Sequence, residues 1–74
     1  MVVKVEVYND GERWCARGIG TDIFTCGDTL DELMEQIKGA VACHYEDELK
    51  QGKTLDILTI TETEVPSGTE AAAG

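Results

Sequence analysis

Cys43 and His44 stand side by side, and a thiol beside an imidazole is the pairing from which a nucleophile and its general base are built. On a helix, however, consecutive side chains point about 100° apart, so these two cannot easily share a hydrogen bond. The apolar periodicity around them puts His44 on one stripe with Tyr45, which predicts a partly buried packing histidine instead of a base. The remaining cysteines, Cys15 and Cys26, lie far from the CxxC spacing of zinc sites, and with a single histidine a tetrahedral centre would need carboxylates as well. A glycine and an acid at a strand-to-helix turn, here Gly27-Asp28-Thr29, can cradle a phosphate. Neither GxGxxG nor GxxxxGK[ST] is present, and Asp28, Asp31 and Glu32 would meet the anion. Thr29 and Glu32 instead have the spacing of a capping box, so the turn reads as a helix start. No catalytic residue, cofactor or metal site is predicted.

The acids outnumber the bases 15 to 6, a formal net charge of -9. Nucleic-acid binding rests on cationic contacts, so phosphate backbones are repelled and any charged partner should be basic. With 74 residues the chain is expected to be one small domain, burying only about 60% of its unfolded surface. Domains of this size often add disulfides, a metal or a partner subunit. An odd cysteine count fits a reducing compartment, and Lys4 and Glu6 interrupt the apolar run of residues 1 to 7, so no signal-peptide core is read there. No stretch approaches the ~20 apolar residues of a membrane span. The expected location is the cytoplasm.

Residues 2 to 8 alternate, with Val3, Val5 and Val7 on one face and Lys4 and Glu6 on the other, the pattern of a half-buried strand. Asn9-Asp10-Gly11 follows as a hairpin turn. Residues 13 to 17 return antiparallel with Trp14 and Ala16 sharing a face and Cys15 on the other, a second turn spans 18 to 22, and residues 23 to 26 complete a meander. Apolar residues at 30, 33, 34, 37, 40, 41, 44, 45 and 49 predict one helix over 30 to 50. Gly39 would mark a close approach of that helix to the sheet. Its outer face carries Asp31, Glu32, Glu35, Lys38, Glu46, Asp47 and Lys50. A last strand is read over 54 to 65, with Thr59, Thr61 and Thr63 on one face and Leu58 and Ile60 on the other. Leu55 and Ile57 fall out of phase with Leu58 and Ile60, which predicts a bulge or a start buried on both faces. The domain is set at residues 1 to 65, and 66 to 74, too poor in hydrophobes to pack, is expected to be a disordered tail. The fold class is α+β, in the order β-β-β-α-β: a mostly antiparallel sheet with one long helix on one face.

GDTLDELMEQIKGAV, following a Trp14-Cys15-Ala16 strand and an N-terminal strand that turns at Asp10-Gly11, resembles the HicB-like antitoxin domain, whose members run from a strand through a short G-D/E-T-L-E-E-A turn into the helix and on to a final strand. The resemblance covers roughly residues 2 to 64 and is closest over 26 to 41. It departs from the family in a second loop reduced to GIGTD, and the chain has no room for the helix-turn-helix or ribbon-helix-helix domain that many members append. The resemblance implies a partial RNase H-like sheet. Such sheets can hold a magnesium-binding carboxylate cluster, but the acids here lie mainly on the outer helix face, at Asp10 and Glu12 and on the last strand, and are not expected to converge. It further implies a non-catalytic binding module that sequesters a small basic RNase toxin, as in a toxin-antitoxin system, for which Glu35, Glu46 and Asp47 are the candidate contact residues. The alternative is an orphan homo-oligomeric interaction protein. In either case a homodimer is expected, paired through the first strand and the threonine row of the last.

Overall fold

Val3, Val5 and Val7 are buried, and the residues between them are not, so the period-two pattern becomes strand β1, Val2–Asn9, with one face turned to a core. The computed structural model describes residues 1–68. Strand β2, Trp14–Gly18, pairs antiparallel with β1, and β3, Phe24–Gly27, pairs antiparallel with β2. Helix α1, Leu30–His44, and a single further turn, α2, Glu46–Lys50, lead to β4, Asp56–Thr61. β4 lies parallel to β1, giving a mixed four-stranded sheet in the order β3-β2-β1-β4. The architecture is α+β, with β-β-β-α-β order and one long helix across one face.

The turn after β1 is held by its own Asn9 and Asp10 side chains. Asn9 Oδ1 accepts the N–H of Gly11, Asp10 Oδ1 accepts those of Glu12 and Arg13, and Gly11 takes φ +103°. The core closes where Leu33, Ile37 and Val41, successive turns of α1, meet Val3, Val5, Val7, Ala16 and Ile23. Trp14 packs against this cluster from the same side as Ala16. Each fully buried aliphatic side chain of this kind stabilises the fold by roughly 1.5–3 kcal/mol.

Four expectations need correcting. The helix is not continuous over 30 to 50: Tyr45, at φ -110° and ψ 33°, interrupts it between α1 and α2. Beyond Tyr45 the apolar stripe has nothing to cover, since Leu49 is 41% exposed and α2 has no buried residue. His44 is exposed and lies off the packed stripe. Gly39 does not mark a close approach, since a Cβ there would meet nothing within 4 Å. That role belongs to Gly27, where a Cβ would stand 2.7 Å from the backbone nitrogen of Leu33. Nor is there a bulge in the last strand. β4 runs in unbroken register with β1 from Val2↔Asp56 to Val7↔Thr61, with Leu55 and Ile57 packed toward the core and Leu58 and Ile60 on the opposite face.

The first strand is also not an edge available for pairing. β4 crosses over and docks beside it, so β1 is flanked on both sides and the free edges are β3 and β4. Of the threonine row, Thr59 and Thr61 lie in β4 on the side of Ile57, and Thr63 follows the strand's end. The disordered tail expected over 66 to 74 falls, for 69 to 74, outside the described residues.

Candidate interaction surface

Helix α1 starts as its sequence requires. Thr29, extended at φ -128°, ψ 164°, accepts the N–H of Glu32 at 3.1 Å. Glu32 reaches back one residue further than a capping box prescribes, accepting the N–H of Asp28 at 2.9 Å. Asp28 in turn receives Arg13 Nε at 3.1 Å, which ties the first hairpin to the helix start. With Asp28 in the turn and Asp31 and Glu32 in the first helical turn, the helix start presents negative charge to any approaching group.

The acidic outer surface is partly self-neutralised. Glu35 pairs with Lys38 at 2.9 Å and Glu46 with Lys50 at 3.0 Å, while Asp47 is exposed between them and makes no ion pair among the described residues. The structure therefore leaves Asp47, of the three candidate contact residues, as the one with uncompensated charge.

On the far side of the sheet no element among the described residues packs, and a second surface lies there. Cross-strand register aligns Phe24, Arg17, Glu6 and Ile60 in one row, from β3 to β4. Lys4 and Leu58 form the row beside it, with Val2 and Asp56 beyond. Phe24 is 63% exposed, and Val2, Leu58 and Ile60 are exposed as well. Arg17 bonds the Glu6 carboxylate and sits over the Tyr8 ring, 5.9 Å from its centroid. A small groove beside it is lined by Glu6, Val7, Tyr8, Ile60 and Glu62. The charged strand residues of this face are Lys4 and Arg17 against Glu6 and Asp56, two of each sign, with the Glu62 and Asp10 carboxylates at its rim.

The same face holds a feature that sequence reasoning missed. Cys15 and Cys26 are cross-strand partners with their sulfurs 3.3 Å apart, and Asp10 Oδ2 lies 3.7 Å from the Cys15 sulfur. The Cys26 sulfur first, burial second and the Asp10 carboxylate after them push the Cys15 thiol up to about 11. Backbone N–H groups of Arg13 and Glu12, ahead of the Arg13 charge, hold the Asp10 carboxyl below its ordinary value. The signal that would have revealed the pair is the hairpin count: a turn centred between Ile19 and Asp22 sets residue 15 opposite 26.

Cys43 and His44 are not brought together as nucleophile and base. His44 Nε2 lies 3.2 Å from Thr21 Oγ1, its ring meets Tyr45 edge-on at 4.8 Å, and Cys43 is exposed. Both line a shallow groove with Asp22, Ile23, Phe24 and Ala40. Among the described residues no three His, Cys, Asp or Glu side chains gather as a metal-binding group, and no helix is long and apolar enough to cross a membrane.

What the fold and these surfaces define is a small α+β domain with an acidic helical side and a sheet face that mixes exposed apolar side chains with both signs of charge. Over 47 residues it is 43% identical to a UPF0150 protein of Archaeoglobus fulgidus, covering 64% of this chain and 68% of that one. It is 60% identical over 25 residues to a UPF0150 protein of Thermotoga maritima, covering 34% and 36%. The chain belongs to the UPF0150 family. No family model matches it and no solved structure matches it.

Proposed function

We propose that this chain is a non-catalytic binding module of the antitoxin type, a HicB-like domain that works in the cytoplasm and sequesters a small basic RNase toxin by covering its surface. The observation that carries the reading is the charge: -9 overall, with the acids of α1 and α2 displayed on the side away from the sheet. The GDTLDELMEQIKGAV stretch supports it, since Gly27 and the Thr29 cap give that stretch a structural reason to keep its form. Complementary charge of this kind mainly raises the association rate and is screened within ~8 Å at physiological ionic strength.

Co-expression with a basic reading frame adjacent to the gene, if there is one, tests this directly. The toxin's growth inhibition should be relieved and the two chains should co-purify at low salt. A harmless or absent neighbour, or a pair that separates at low salt, removes the antitoxin reading.

A second reading, an interaction protein whose partner is its own copy, is favoured by the open sheet face. Two chains of charge -9 repel over most of their surfaces, and they can approach most easily where cations offset the acids and apolar side chains are exposed. The Phe24–Arg17–Glu6–Ile60 row meets both conditions, and a two-fold axis would set Arg17 of one copy near Glu6 of the other.

A further inference from the structure

We propose that Cys15 and Cys26 form a redox-active dithiol site, closed to an intramolecular disulfide by exchange with a low-molecular-weight disulfide of the glutathione type. The proposal is independent of the partner reading. The two residues face each other directly across β2 and β3. Directly opposed residues of an antiparallel pair have Cα atoms about 4.5–5.5 Å apart, within the range that disulfides span. Their sulfurs are already in contact at 3.3 Å. A bond of about 2.05 Å needs them to close by little more than an ångström, which side-chain rotation supplies without moving the strands.

The surroundings give the two thiols different tasks. Cys26 is partly exposed on an edge strand and meets an external disulfide first, whereas Cys15 is 2% exposed and can be reached only from within. The Cys26 thiolate attacks one sulfur of the glutathione disulfide, that S–S bond breaks, and one glutathione leaves as thiolate. Cys15 then attacks the Cys26 sulfur, expelling the second glutathione, and its proton passes to the glutathione thiolate that leaves. Two protein thiols are oxidised to one disulfide, one glutathione disulfide is reduced to two thiols, and both protons end on the glutathione released. The Asp10 carboxylate, 3.7 Å from the Cys15 sulfur, helps to hold the proton on Cys15 and so slows the second step.

The test uses the full folded chain. It is incubated with oxidised glutathione, quenched with acid, alkylated in denaturant and digested with trypsin, which cuts after Arg17 and Lys38 and so leaves the three cysteines on separate peptides. The expected product is a peptide pair joined through Cys15 and Cys26, lighter by two hydrogens than the reduced pair and separated by dithiothreitol, with Cys43 outside the cross-link. Cys43→Ser should keep the cross-link, and Cys26→Ser should leave Cys15 an alkylatable thiol. Asp10→Asn, which removes that negative charge, should speed closure of the ring and leave less glutathione on Cys26. Recovery of Cys15 and Cys26 both alkylated under conditions that load Cys43 with glutathione overturns the proposal. So does a Cys15–Cys26 yield no higher in the folded chain than in the same chain oxidised in denaturant.

Discussion

Gly27 and Gly39 are the two residues at which an added methyl group has opposite effects. At Gly27 a Cβ meets the Leu33 backbone at 2.7 Å, and backbone cannot move aside without shifting the helix start. Gly27→Ala should therefore lower stability by about 1–3 kcal/mol, the range for forced overpacking. At Gly39 the space is open and the backbone is helical, so Gly39→Ala should raise stability by about 0.5–1 kcal/mol. Urea unfolding of the two variants checks the pair, and equal effects would sink the close-approach reading. Asp10 and Cys15 make stability depend on pH at opposite ends. Asp10 is depressed below 3.8 in the folded chain, so its contribution is present above that value and disappears as pH falls through the folded pKa. Cys15 is raised from 9.0 to about 11, so its contribution is full below pH 9 and is lost as pH rises between the two. Asp10→Asn should flatten the acid limb of a stability-pH curve, and Cys15→Ala the alkaline limb.

The helix start is the element that joins the molecule's parts. One short stretch supplies the Thr29 cap, the Glu32 return bond, the Asp28–Arg13 tie to the first hairpin and the Gly27 approach. Thr29→Ala leaves the Glu32 N–H without its acceptor and should cost about 1 kcal/mol. Chemical denaturation monitored by helical circular dichroism reads this. An unchanged midpoint would mean that water replaces the cap at no loss. The far end of the same helix is weaker by construction. α2 is one turn with no buried side chain, held by the Glu46–Lys50 pair and backbone bonds, so its amides should exchange with solvent faster than those of α1.

For the whole molecule, the two surfaces predict separable behaviour. Ile60→Asp adds a charge of the chain's own sign to an exposed position of the open face and should convert a dimer to a monomer in light scattering while leaving the folded spectrum intact. A chain already monomeric at tens of micromolar would remove the self-association reading. Reversing Glu35, Glu46 and Asp47 to lysine should slow capture of a basic partner and weaken its salt dependence without unfolding the domain. Two of these changes also break ion pairs with Lys38 and Lys50, exposed pairs whose worth is about 0.3–0.5 kcal/mol each. Asp47→Lys alone is consequently the cleanest probe of charge, and it should produce most of the kinetic change per substitution.

Much of this was legible locally. The valines of β1, the Asp-Gly turn, the Thr29 cap and the stripe through Leu33, Ile37 and Val41 each follow from spacing within a few residues, because hydrophobic period and capping chemistry act at short range. The element order β-β-β-α-β follows from them, and the antiparallel partners β1, β2 and β3 follow from short turns. What lay beyond the sequence required knowing what each element packs against. Tyr45 interrupts the helix, and beyond it the apolar periodicity that continues to Leu49 buries nothing, since α2 has no buried residue. β1 became interior only when the crossover delivered β4 to its free side, which moved the exposed edges to β3 and β4. Gly27, not Gly39, meets the helix backbone because the distance between β3 and α1 is a property of their packing. The Cys15–Cys26 contact and the Phe24–Arg17–Glu6–Ile60 row likewise join residues distant in the chain, and only strand register brings them onto one face.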